Sequence, residues 1–187
     1  ASKGKHVITL ITGDVVTVTE FADGQSVISV EPADKAGGGA RILTTNKDTY
    51  VIPQQAMPYL ASGVLDRDLF NITALIEDGY DDASQETLPI IVQYSESKTR
   101  SAAKPTLKAS KKTHELESIN GVALSAEKKD TKTFWQDIKK NIQSAKATKA
   151  LPTAGIEKVW LDGRVEANLE QSVPQIGAPT AWDSGFN

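Results

Sequence analysis

Few residues in this chain have the types and spacing for covalent chemistry. Its 187 residues include two histidines, His6 and His114, and no cysteine. A serine triad places a histidine between a nucleophile and an orienting acid. Neither histidine stands in a nucleophile-elbow or paired-histidine motif, so both are expected at strand edges or in loops. Without cysteine there are no disulfides, thiolate zinc sites or cysteine nucleophile. Glu77, Asp78, Asp81, Asp82 and Glu86 form an acidic run with no base among them. The Asp81-Asp82 pair lacks a calcium-loop pattern, and the run is expected as a solvated linker. No metal or cofactor is expected, and this fragment is expected not to be an enzyme. A different feature stands near the C-terminus. After Asp162-Gly163, Val165, Ala167 and Leu169 alternate with Arg164, Glu166 and Asn168. That period of two marks an extended segment.

Composition narrows the class. Hydrophobic residues make up 39% and charged residues 24%, the balance of a folded globular chain. The net charge of −3 argues against a nucleic-acid partner. Lys98, Arg100, Lys104, Lys108, Lys111 and Lys112 form a basic stretch, read as a solvated segment. No apolar run approaches the roughly 18–20 residues of a membrane span, so no membrane partner is expected. The length suits one large domain or two small ones.

The elements that must position the tail follow from local pattern. Residues 6–11 are β-rich and stop at Gly13-Asp14. Val15-Val-Thr-Val-Thr19 alternates, Asp23-Gly24 signals a hairpin, and Ser26-Val-Ile-Ser-Val30 returns. Pro32 and Gly37-Gly-Gly39 mark a loop. Tyr50-Val-Ile52 is a short strand, and Ala56, Met57, Leu60 and Ala61 have helical spacing before Gly63. Residues 70–76 are expected as a strand. Asn71-Ile-Thr73 is formally a glycosylation sequon.

Leu88-Pro-Ile-Ile-Val-Gln-Tyr94 opens a second unit as a strand. Residues 95–112 read as a weak helix or loop. Leu116, Val122, Leu124 and Ala126 share one strand face, and Asn120-Gly121 within that stretch marks either a hairpin or a glycine at a bulge or close contact. Asp130 or Thr131 caps a helix carrying Phe134, Ile138 and Ile142 at four-residue spacing. Residues 156–161 form the last strand. Strand, weak helix, strand, helix, strand predicts an α+β fold: a ferredoxin-like open antiparallel sheet with helices on one face, preceded by a small β-rich N-terminal domain. The expected division is residues 1–87, residues 88–169, and a remainder at 170–187. A unit of about 80 residues has a small core and gains from a partner surface.

The final residues carry a resemblance. Gln171-Ser-Val-Pro174, Gln175-Ile-Gly-Ala-Pro179, Ala181-Trp182 and Gly185-Phe-Asn187 resemble the opening of a subtilisin-type catalytic domain. Residues 88–94 and 114–124, the Phe134-Trp135 helix and residues 156–161 resemble the subtilisin propeptide module. Residues 7–14 and 65–70 resemble leader regions of large secreted bacterial subtilases. The resemblance implies the prodomain of a secreted subtilisin-like serine endopeptidase precursor, its signal peptide already removed. The catalytic residues of such a precursor would lie beyond Asn187. The partner implied is the cognate catalytic domain, which the prodomain helps to fold and then inhibits. In this family the propeptide sheet packs on two parallel enzyme helices, and the tail lies in the cleft like a product.

Matching residues 171–174 to the family's mature N-terminus puts the processed bond at Leu169–Glu170. Val165, Glu166, Ala167, Asn168 and Leu169 then form the inhibitory tail, with Leu169 in the main specificity pocket and Ala167 between pockets. Glu166 faces a fourth pocket that is usually apolar in the family, and a cut after Asn168 would place Val165 there instead. Asp162 matches a propeptide acid that caps an enzyme helix; read locally, it is a turn residue before Gly163. Chaperoning follows from mass action, since binding the folded protease stabilises it. Two alternatives remain: a free-standing subtilisin-inhibitor-like protein, and a non-inhibitory module docked through the lysine-rich segment.

Overall fold

The computed structural model describes residues 1–95, 106–147 and 155–163, with side chains in the long helix described as far as Ile142. The fold is α+β with mostly antiparallel sheets. Strands β1 (Ser2–Thr9), β2 (Val15–Phe21) and β3 (Ser26–Glu31) form a three-stranded antiparallel sheet in chain order. Alternation turns Val16 and Val18 of β2 into the core, and Gly24, at φ +82°, makes the β2–β3 turn. Strands β4 (Ala40–Thr44) and β5 (Thr49–Pro53) pair as a ribbon. Almost all of β4 is exposed, which explains why no alternation announces it.

Helix α1 (Met57–Ala61) ends before Gly63, as its spacing predicts. The strand expected at residues 70–76 is instead a 3₁₀ turn, Arg67–Phe70, and helix α2 (Ile72–Glu77). The cause is a cap. The Asn71 Oδ1 accepts from the Ala74 N–H at 3.1 Å, satisfying a first-turn donor that the β-branched run alone does not reveal. Asn71 is thereby buried, with its side chain committed to the helix.

Strands β6 (Thr87–Tyr94), β7 (Ser110–Leu116), β8 (Gly121–Glu127) and β9 (Ile156–Leu161) form a four-stranded sheet in the order β7-β8-β6-β9, every neighbour antiparallel. Between β7 and β8 the chain turns through Glu117–Ile119, with Asn120 left-handed at φ +52°, so Asn120-Gly121 closes a hairpin. Gly121 also answers to the close-contact reading: a Cβ there would stand 2.8 Å from the Val92 carbonyl oxygen of β6. Helix α3 (Thr131–Ala147) connects β8 to β9. Its Phe134, Trp135, Ile138 and Ile142 are buried with Leu88, Ile90, Val92 and Tyr94 of β6.

One hydrophobic cluster runs through both halves of the chain. It joins Ile8, Leu10, Val16, Leu65, Leu69 and Phe70 to the sheet and α3. The expected boundary at residue 87 is therefore crossed by continuous packing.

Gly121→Ala is expected to cost about 1–3 kcal/mol, because the added methyl must displace backbone of β6. Gly39→Ala, whose Cβ would enter open space, is expected to stay within about 0.5 kcal/mol of the parent. Denaturant midpoints of the two variants check this; equal shifts would contradict it.

Candidate functional site

The chain leaves the four-stranded sheet at one place that matters for the expected tail, the end of β9. Strand period sorts the sheet into two faces. Leu88, Ile90, Val92 and Tyr94 face the core, which leaves Pro89, Ile91 and Gln93 on the opposite side. Register aligns Ile91 with Ala123 of β8 and Trp160 of β9, and Gln93 with Lys158. Ile91 and Trp160 are half-buried, and the Lys158 ammonium lies 5.6 Å from the Trp160 ring centroid. The face opposite α3 thus carries Trp160, Ile91 and Ala123 in one row, with Lys158 and Gln93 in the next.

Asp162 follows directly. Its N–H donates to the Pro89 carbonyl at 3.0 Å, extending the β6–β9 pairing one residue past β9. Its carbonyl lies 3.5 Å from the Tyr80 hydroxyl. Asp162 is half-buried and follows directly on β9, before Gly163. Val165, Glu166, Ala167, Asn168, Leu169 and Glu170 lie outside the described residues, so the tail, the processed bond and the segment from 170 onward do as well.

Polar tethers join β1, residues 80–82 and the start of α3, and no local pattern in the sequence announces them. The acidic pair expected in a linker is packed into the fold. The Asp82 carboxylate accepts from the Thr9 N–H at 2.9 Å and the Thr9 hydroxyl at 2.6 Å. The buried Lys128 ammonium lies 3.2 Å from Asp82 Oδ1 and donates to the Tyr80 carbonyl. A buried ammonium needs such partners, and they arrive from residues 46 and 48 positions earlier in the chain. Asp81 is buried beside His6, whose Nδ1 lies 3.1 Å from Asp81 Oδ2. The Ser84 side chain, followed by His6 and Lys128, holds the Asp81 carboxyl below its ordinary range against the opposing effect of burial. His6 is therefore a strand residue with an ionic partner.

A second tether reaches α3. The Trp135 indole N–H donates to Gln55 Oε1 at 3.1 Å, and the Gln55 amide donates to the buried Asp14 carboxylate at 3.2 Å. Asp14 also accepts from the Ala33 N–H at 2.8 Å and from the Thr12 hydroxyl. Gly13, at φ +88°, lets this loop meet the first turn of α3; a Cβ there would stand 3.2 Å from the Lys132 backbone. The Tyr59 ring meets Trp135 edge-on at 5.4 Å.

His114 is exposed on β7, far along the chain from the His6 pair. Among the described residues no three His, Asp or Glu side chains gather as a metal site. No helix among them is long and apolar enough to cross a membrane. What the described residues bring together here is a row of Ile91, Ala123 and Trp160 beside the end of β9. No family model, no curated protein and no solved structure matches this chain.

Asp82→Ala is expected to cost about 3 kcal/mol, because it strips a buried ammonium of its counter-charge. Lys128→Met is expected to cost less, since methionine refills the stem and Asp82 keeps both Thr9 donors. Thermal unfolding of the two variants ranks them; the reverse order would contradict the assignment.

Proposed function

We infer that this chain is the prodomain of a subtilisin-like serine endopeptidase. On this reading, residues 88–169 form a ferredoxin-like propeptide unit and residues 170–187 begin the protease. The observation that carries the reading is the sheet order β7-β8-β6-β9 with α3 connecting β8 to β9. In a ferredoxin-like sheet the first and third strands are central, and here those are β6 and β8. The resemblance of residues 171–187 to a subtilisin mature start agrees with that order.

The geometry supplies a mechanism of association. The strip of Ile91, Ala123 and Trp160 lies opposite α3, where a propeptide sheet would pack on enzyme helices. Burial of such a strip returns about 25 cal/mol per Å² of apolar area. Strand alternation continued past β9 puts Asp162 on the same side as Lys158 and Trp160. A carboxylate there meets an enzyme helix N-terminus favourably. Residues 165–169 then leave from the sheet end and enter the cleft as an added strand. Main-chain hydrogen bonds supply the affinity, and alternate side chains fill pockets. Leu169 takes the main pocket, and the bond to Glu170 is the one processed. The setting is extracellular, and no cofactor takes part.

Peptide hydrolysis by a subtilisin-type catalytic domain, followed over time with this chain added, tests the reading. The chain ending at Leu169 is expected to inhibit, and a version ending at Asp162 is expected to lose at least tenfold in potency. Equal inhibition by both versions would overturn the product-like tail. No inhibition of the catalytic domain that naturally follows this chain would overturn the prodomain reading.

A further inference from the structure

The first 87 residues touch the exit strand itself. Val159, at the middle of β9, donates its N–H to the Val64 carbonyl at 2.7 Å, and its own carbonyl accepts from the Asp66 N–H at 3.1 Å. Leu65 and Val159 form a parallel bridge between these bonds. β9 is thus paired on both sides, by β6 and by residues 64–66. The contact is dry: Leu65, Leu69 and Val159 are all buried. Its far end is anchored as well. Asp66 caps the following 3₁₀ turn, its carboxylate accepting from the Asp68 N–H at 3.0 Å. Tyr80, whose carbonyl binds Lys128, brings its hydroxyl toward the Asp162 carbonyl.

We propose that residues 64–66 serve as a fifth strand through which residues 1–87 clamp β9 and aim the chain that leaves it. An unclamped β9 would be an edge strand, and edge strands fray and pair with other chains. Clamped, the strand end is held, and less ordering is left for the tail when it binds. This assigns the N-terminal half a positioning role in inhibition, and it rests on the prodomain reading above.

The test uses the full chain. Asp66→Pro removes the N–H that bonds Val159 and suits the local backbone, which lies at φ −83°, ψ 140°. Asp66→Ala removes the cap but keeps the N–H. Val16→Ala, buried in β2, supplies a general loss of stability away from β9. Two quantities are read: amide exchange at Val159, and inhibition of a subtilisin-type catalytic domain. Asp66→Pro is expected to speed exchange at Val159 and to weaken inhibition at least tenfold. Asp66→Ala is expected to keep both within about threefold, and Val16→Ala to speed exchange at Val159 only as much as at the other β6 and β9 amides while inhibition stays within about threefold. Should Asp66→Pro fail to fold, Leu65→Ala opens the same contact and is read in the same two assays. Unchanged exchange at Val159 in the opened variant overturns the clamp. Faster exchange with undiminished inhibition overturns its role in aiming the tail. If the parent chain fails to inhibit the catalytic domain that naturally follows it, the prodomain reading fails, and the clamp stands or falls on exchange alone.

Discussion

The buried ammonium of Lys128 is the constraint on which the arrangement of this chain depends. It sits where β8 gives way to α3 and finds its partners in the Tyr80 carbonyl and the Asp82 carboxylate. Asp82 in turn holds Thr9 by backbone and side chain, and its own N–H donates to the Val7 carbonyl. One charge therefore ties β1, the segment before β6 and the start of α3 into a single corner. Lys128 and Thr9 are buried there, so their polar groups must find partners within the protein.

From that corner the rest follows. With residues 80–82 fixed, the chain enters β6 in register, and β6 sets both β8 and β9. The Asp14–Gln55–Trp135 chain pins α3 from the other side. Residues 64–66 then lie along β9. Strand β9 is held by β6 on one side and by residues 64–66 on the other, and the sheet face opposite α3 carries Ile91, Ala123 and Trp160.

Much of the fold was legible because it is local. The β2–β3 hairpin is written in alternation and Asp23-Gly24, α3 in its four-residue spacing, and β6 in its apolar run. Residues 70–76 misled because a β-branched stretch looks like strand until Asn71 is seen to cap it. β4 was invisible because both its faces meet solvent. The acidic pair read as a linker because the partner of Asp82 lies 46 residues later in the chain. No window of sequence contains that pairing; only the fold brings it together. Of the site, the last strand at residues 156–161 was legible, and the bond of Asp162 to Pro89 was not. The tail residues Val165 to Leu169 rest on their alternation and their resemblance.

Residues 1–87 and the four-stranded sheet share one hydrophobic cluster and are expected to unfold as one cooperative body. Equilibrium denaturation with residue-resolved amide exchange tests it most directly, comparing β1 and β2 with β6 and β9. One transition is expected, with the most protected amides of both regions opening at the same free energy. Loss of β1 and β2 in an earlier transition, with exchange at Val159 unaltered, would contradict it.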